Sequence, residues 1–436
     1  MKKTLFYTLI LAGSLASCKK DTDPIFDDPD KRLIAEVARL EKELTEAPHG
    51  WKAALYPKGG QGYMYYFQFN NQNGVTIYSD FNNTQATQAG GGTYRIKALQ
   101  QPTLIFDTYS YVHFPADPDE TISGGTRGTG LSSDIQFFIY GSGDSLFLKG
   151  IDNGSQMTLV KATAEEKTQI QSGAIKTMMD KSAAFVRDTE NPYMEFGDGI
   201  QTQFTISRKL VSLTWVDAQG EISTTESPFV FFPGGIELKN PLNYKGTTFD
   251  RLFWDDNLGR YYAMIGNARY DVLSSPTPII PPYFRIGFGK DFTTFTVNVP
   301  TLDGLPPAFL NVYNAAVTGL AGLSGRKFQQ FAIIFSAANE MTLRITYQNT
   351  AGTTYLADFL HSVEWSDGGV CKFTYMSRNG NGNTISTGVT ALTNYIADNE
   401  FKLSWAANLT PGSTALLGGL TLTSDPNNYF FGVLSK

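Results

Sequence analysis

The chain has 436 residues, a net charge of −6, 42% hydrophobic, 13% aromatic and 17% charged residues, with 42 glycines, two cysteines and three histidines. An apolar fraction near the globular average with few charges excludes a disordered chain and a coiled coil, and the acidic balance offers no basic footprint for nucleic acid. The length suggests two or three domains of about 100–200 residues each, with enough apolar side chains for a sizeable core.

Residues 1–17 join a basic start, Lys2 and Lys3, to an apolar run from Leu5 to Ala12 and small residues at the end, which is the pattern of a secretory signal peptide. The run falls short of the roughly 20 apolar residues that a spanning helix needs. Leu15, Ala16, Ser17 and Cys18 resemble a bacterial lipobox, in which the chain is cut before the cysteine and the cysteine is acylated. Cys18 is therefore the expected lipid anchor, holding the protein to the outer membrane. Residues 18–29, rich in lysine and aspartate and carrying two prolines, read as a lipidated tether. Such a stretch after the lipidated cysteine resembles the export signal to the outer face of Bacteroidota outer membranes; the alternative is a plain spacer facing the periplasm. With Cys18 acylated, Cys371 has no intramolecular partner, and its strand-like setting reads as a buried structural thiol.

The folded part is expected to begin with a helix capped by Asp28, with Pro29 at its first position and Leu33, Val37, Leu40 and Leu44 forming one apolar stripe. Pro48 and Gly50 end it. From Gly62 the period becomes two: Tyr63, Tyr65, Phe67 and Phe69 alternate before a turn at Asn70 to Gly74. Further strands are predicted near 94–98, 103–107, 135–140, 145–149 and 157–161, and a single helix over 163–188 then resets the pattern. Strands resume at Tyr193, and the proline-rich Ser274 to Pro282 reads as a linker. After an apolar helix near 308–323 the chain is β-rich again, with Asn379 to Asn383 as a turn. The expected fold is mainly β with a few α-helices, α+β, built as tandem helix-plus-antiparallel-sheet modules over 30–162, 163–275 and 283–436.

Phe106, Asp107, Thr108, Tyr109, His113, Asp117, Pro118, Gly130, Ser133, Asp134 and Phe137 resemble the signature of a Bacteroidota lipoprotein family, the domain of unknown function numbered four thousand three hundred and two. That family has no assigned biochemical activity. The resemblance implies a genomic setting beside TonB-dependent nutrient importers of the starch-utilisation type, their partner lipoproteins and a zinc-metallohydrolase-like lipoprotein. It implies an accessory role in handling imported polymer.

Catalytic motifs are missing from the sequence: there is no His-Glu-x-x-His, Gly-x-Ser-x-Gly, phosphate loop or Cys-x-x-Cys. His49, His113 and His361 are too scattered for a histidine-built metal site, and no cofactor is expected. Two carboxylates suffice for a glycosidase, so a carboxylate-dependent hydrolase of glycan or peptide stays open beside a binding protein, with a scaffold module as a third reading. The first candidate surface is Asp107, Tyr109, Tyr111, His113 and Asp117: if the strand continues, period two puts the first four on one face, where aromatic planes stack on sugar or peptide. Its alternative is a polar network that closes the strand end. The second is Trp254 with Asp255, either an exposed glycan-binding pair or an aromatic that pins a hairpin; Trp51, Trp215, Trp365 and Trp405 read as core.

Overall fold

The computed structural model describes residues 29–410 and 413–436. The signal peptide of residues 1–17, Cys18 and the tether up to residue 28 lie outside the described residues. The described residues fall into two compact units, 29–180 with 228–239, and 181–227 with 240–410 and 413–436.

The first unit opens with helix α1 (Pro29–Thr45) and an antiparallel meander of eight strands: β1 (Trp51–Tyr56), β2 (Tyr63–Phe69), β3 (Gly74–Ser79), β4 (Gly90–Ala98), β5 (Pro102–Phe106), β6 (Gln136–Ser142), β7 (Ser145–Gly150) and β8 (Gln156–Lys161). The meander closes on itself. β1 pairs with β8 from Trp51 opposite Lys161 to Tyr56 opposite Gln156, so the sheet is a barrel without a free edge. Alternate residues point inward, and eight strands leave an interior that side chains alone fill: Trp51, Tyr65, Phe67, Phe106 and Phe137 are all but inaccessible there. Leu40 and Leu44 of α1 belong to the same core, so the predicted apolar stripe is buried in the barrel and grows more buried toward its C-terminal end. Trp51 Nε1 donates to Leu44 O at 3.0 Å, and Arg39 donates to Gly141 O at 2.8 Å on the β6–β7 hairpin, which fixes the helix over the barrel.

The predicted helix over 163–188 is two helices, α2 (Ala164–Gln171) and α3 (Ala174–Asp188). Thr163 and Glu166 form a capping box at the start of α2. The break falls at Gly173, whose φ of +85° lies in the left-handed region that a side chain disfavours.

A second eight-stranded meander follows in chain order: β9 (Tyr193–Glu195), β10 (Gln201–Ser207), β11 (Leu210–Val216), β12 (Ile222–Phe232), β13 (Gly235–Tyr244), β14 (Thr247–Asp255), β15 (Arg260–Ile265) and β16 (Ala268–Asp271). A lone bridge between Tyr193 and Leu273, with bonds of 2.9 and 2.8 Å, brings its two ends together.

The third set is again a closed barrel: β17 (Thr294–Val297), β18 (Lys327–Ala337), β19 (Glu340–Gln348), β20 (Thr354–Ser366), β21 (Val370–Arg378), β22 (Glu400–Ala406), β23 (Leu417–Leu422) and β24 (Tyr429–Ser435). Pairing of Thr294 with Ser435 and of Phe295 with Leu434 closes it. Helix α4 (Pro307–Gly322) sends Phe309, Tyr313, Ala316 and Leu320 into its core, where the Phe309 ring stacks on Phe430 at 4.9 Å. Phe430 also meets Phe295, Phe331, Tyr395 and Phe401 within 6.2 Å. The predicted turn at 379–383 is instead a short helix, α5 (Gly380–Ile385), with Asn379 accepting from Gly382 N–H at 2.7 Å as its cap, and α6 (Thr390–Asp398) follows it.

The tandem helix-plus-antiparallel-sheet modules expected from the sequence are therefore corrected. The chain is mainly β, but its described sheets are eight-stranded meanders, two of them closed into barrels. The reason is the pairing of each barrel's first and last strands, which consumes the edges and turns one face into an enclosed core. The proline-rich stretch read as a linker is docked as well: Ile280 is buried and its carbonyl accepts from Trp405 Nε1 at 2.8 Å.

Phe430→Ala removes the ring around which the third core is packed and is expected to cost about 3–5 kcal/mol of stability, read as a lower urea midpoint. Burial pushes the Tyr66 and Tyr94 hydroxyls up to about 12 and those of Tyr65, Tyr261 and Tyr395 higher still. A raised folded pKa means the unfolded chain releases these protons first, near its ordinary value of about 10. Stability is thus expected to hold below about pH 10 and to fall as pH rises toward 12, measured as the urea midpoint across that window.

Candidate functional site

β5 stops at Phe106, and the chain after it leaves the sheet. Asp107 donates its N–H to Thr93 O at 2.9 Å, and its carboxylate pairs with Arg95 of β4 at 2.7 Å. Tyr111–Ala116 is a 3₁₀ helix containing Pro115, so the period-two face proposed for Asp107, Tyr109, Tyr111 and His113 does not form. Three of the candidates still meet. Tyr109 donates its hydroxyl to Asp117 Oδ2, and its ring lies 5.3 Å from the His113 ring and 5.7 Å from Phe114. Partial burial and then the Asp117 carboxylate push the Tyr109 hydroxyl up to about 12. His113 Nδ1 accepts from Ser110 N–H at 3.2 Å, and burial pulls the imidazole below its ordinary value, which favours a neutral ring at pH 7. Tyr111 reaches the cluster only through Phe114, whose ring it meets edge-on at 5.9 Å; its own ring lies against Gly90 and its hydroxyl donates to Gln88 O at 3.4 Å.

The loop that follows satisfies itself. Asp117 Oδ1 accepts from Asp119 N–H at 2.8 Å, and Asp119 in turn caps Glu120–Ser123 by accepting from Thr121 N–H at 2.8 Å. Leu131 N–H donates to Pro115 O at 2.8 Å and Gly128 N–H to Pro118 O at 2.8 Å. This is the arrangement of a polar network closing a strand end, with a surface-exposed Tyr109 at its rim.

Two buried carboxylates escaped the reading of the sequence as site residues. Asp134 is 2% exposed and accepts three backbone N–H bonds, from Asp152, Asn153 and Ser155, at 2.7–2.9 Å. Gly150 makes room for it, because a Cβ there would lie 2.0 Å from its Oδ2. Asp80, inaccessible to solvent, accepts from Met64 N–H at 2.9 Å and from Phe231 N–H at 3.0 Å, tying the 228–239 hairpin to the first barrel. Both carboxylates serve the backbone, and no spacing in the sequence announces their partners.

Trp254 and Asp255 close the β14–β15 hairpin. The Trp254 ring packs edge-on against Tyr261 at 5.1 Å and Phe185 of α3 at 6.2 Å, and its Nε1 donates to Asp256 at 3.1 Å. Asp255 pairs with Arg269 at 2.7 Å, which holds its carboxyl below the usual range, and accepts from Asn257 and Leu258 N–H. Beside this hairpin lies a cleft of about 650 Å³ whose walls include Asp188, Glu190, Tyr193, Leu258, Arg260 and Ser275.

On the third barrel, Trp405 is half-buried and packs against the core, where the sequence suggested it, beside a cleft of about 330 Å³. Trp365 likewise borders a cleft of about 360 Å³, with Phe288 and Lys290. Among the described residues no group of three or more His, Cys, Asp or Glu side chains could hold a metal ion. Cys371 is buried, and burial pushes its thiol well above the ordinary range, which keeps it an unreactive thiol. No helix among the described residues is long and apolar enough to cross a membrane. Asp117→Asn is expected to lower the Tyr109 pKa from about 12 toward, but not to, the ordinary value of about 10, since burial persists; NMR titration of ring-labelled tyrosine reads it.

No curated protein matches the chain. Among solved structures it is similar to the octameric penicillin-binding protein homologue from Pyrococcus abyssi, at 13% identity over 33% of this chain and 36% of that one, with a TM-score of 0.15. The chain thus spans about a third of that protein's length. It is similar also to the DNA polymerase III β chain from Streptococcus pneumoniae TIGR4, at 9% identity over 93% and 98% of the two chains and a TM-score of 0.15. Overlaps this slight do not amount to a shared fold. The family is another matter: residues 22–256, more than half of the chain, match the model described as Domain of unknown function (DUF4302), and the chain belongs to that family.

Proposed function

We propose that this chain is a Bacteroidota outer-membrane lipoprotein, anchored through acylated Cys18 and facing the cell exterior, that acts as a non-catalytic binding or assembly partner of a TonB-dependent nutrient importer and its lipoproteins. Its ligand in this reading is a glycan or peptide. The observation that carries the non-catalytic part is the fate of the candidate carboxylates: Asp107 is held by Arg95, Asp117 by Tyr109 and Asp255 by Arg269. A carboxylate-dependent hydrolase needs one carboxyl to deliver a proton and another to attack or to activate water, and an acid locked to a cation serves poorly as the proton donor. The address rests on the lipobox-like Leu15 to Cys18, the acidic tether and the family resemblance.

One observation favours the rival hydrolase. The cleft beside the β14–β15 hairpin has Asp188 and Glu190 among its lining residues. Asp188, however, bonds Arg187 at 2.6 Å, and that contact keeps its carboxyl below the ordinary range, the wrong direction for a general acid.

Gentle detergent extraction of C-terminally tagged protein from native outer membranes is expected to recover an importer and its lipoproteins, identified by mass spectrometry. Recovery of the protein alone would sink the importer reading. Cys18→Ala is expected to move the protein from the membrane fraction to the soluble fraction, and an unchanged membrane fraction rules out lipidation.

A further inference from the structure

One end of the third barrel is packed by the segment that precedes β17. Ile286 belongs to the barrel core, and an added Cβ on Gly418 would lie 2.6 Å from its side chain. Gly287 N–H donates to Phe292 O at 2.8 Å and Phe292 N–H to Arg285 O at 2.9 Å, which closes residues 285–292 into a loop. At the same end the inward face of β20 runs through Phe359, His361 and Val363 to Trp365. The half-buried Trp365 ring lies 5.6 Å from Phe335 of β18, and its Nε1 donates to Ala338 O at 3.1 Å. Gly369 lets the β20–β21 turn meet the loop, since a Cβ there would lie 2.7 Å from Tyr283 Cβ. The cleft of about 360 Å³ opens between this loop and this rim.

Its wall carries a ring and a cation that the fold leaves underused. Phe288, between Gly287 and Gly289, is 53% exposed and meets no other ring among the described residues. Lys290 folds back over Gly287, its stem 3.4 Å from where a Cβ of Gly287 would stand, and its Nζ donates to Tyr283 O. An ammonium has three N–H donors, so the carbonyl leaves two over. Burial pulls Lys290 below its ordinary value, and no carboxylate among the described residues offsets that cost.

We propose that this cleft binds the C-terminal residue of a peptide, with the terminal carboxylate on the Lys290 ammonium and a bulky apolar side chain against Phe288 and Trp365. The assignment rests on the binding reading above and narrows its ligand to peptide. A carboxylate on a shielded ammonium makes a charge-assisted hydrogen bond and replaces the solvation that burial takes from the amine. The volume lies at the lower end of ligand pockets, which suits one residue, with the rest of the peptide leaving through the mouth. The same wall disfavours an acidic sugar: it offers the Tyr283 and Ser366 hydroxyls and glycine backbone but no carboxylate or amide side chain, so the many hydroxyls of a uronate would go unpaired.

Acetyl-Ala-Ala-Phe is the probe, with its C-terminal amide and glucuronate as controls, each titrated into the full chain by calorimetry and saturation-transfer NMR. The acid is expected to bind with a Kd of about 1 mM or tighter, and both controls about tenfold more weakly. Lys290→Gln is expected to weaken the acid about tenfold and to leave the amide unchanged. Phe288→Ala, at an exposed position outside the core, is expected to weaken the acid about fivefold with no change in the urea midpoint. No binding of the acid at that concentration, an amide that binds as tightly as the acid, glucuronate that binds as tightly as the peptide, or acid binding unchanged in Lys290→Gln overturns the assignment. Importer co-purification reads separately: an importer recovered without peptide binding removes this site alone, and peptide binding without an importer removes only the importer reading.

Discussion

Hydrogen bonding between the first and last strands of a meander is the interaction on which the rest of this structure depends. Once β1 bonds β8 and β17 bonds β24, the inward face of each sheet has no exit, and the interior of an eight-stranded barrel is only wide enough for side chains. Aromatic residues fill that space, Phe67, Phe106 and Phe137 in one barrel and Phe295, Phe331 and Phe430 in the other. The helices add their apolar stripes to the same cores, as Leu40 and Leu44 do in the first and Phe309 and Leu320 in the third. Ligand chemistry is thereby pushed outward, to the connections and to the surfaces that the connections cover.

That displacement explains how the acidic residues are used. Asp117, Asp119, Asp134 and Asp255 all accept backbone N–H bonds in turns and caps, the use for which a short carboxylate is well shaped. Long connections between barrel strands carry many orphan donors, and aspartate satisfies two or three at once. Other aspartates pair with cations on neighbouring strands, as Asp107 does with Arg95 and Asp358 with Arg344.

The strands were legible in the sequence wherever their neighbours were close. Tyr63, Tyr65, Phe67 and Phe69 alternate and lie on the inward side of β2, and the α1 stripe lies where its period puts it. Closure was not legible, because Trp51 and Lys161 face each other across more than a hundred residues and nothing in either segment names the other. The Asp107 to His113 face failed for a local reason, since Pro115 and the Ser110–His113 backbone bond favour a 3₁₀ turn over an extended strand. The cluster that did form, Tyr109 with His113 and Asp117, depends on that turn. Trp405 packs against the third core as a tryptophan on an alternating strand suggests, whereas the bond of its indole to Ile280, more than a hundred residues away, was not legible.

The two closed barrels and the middle sheet differ in one respect with consequences for handling and storage. Where the barrels are sealed by runs of paired residues, the ends of the middle sheet are joined by the Tyr193–Leu273 bridge and by bonds of Ser275 to Glu190 and Asn191. Parting that seam would uncover β9 and β16, two short strands whose N–H and C=O groups can then pair with another chain. Among the described residues this seam is therefore a place open to strand exchange with a second copy, and it lies in the same segment that carries the cleft of about 650 Å³, so a ligand bridging Tyr193 and Ser275 there would also act as a clasp.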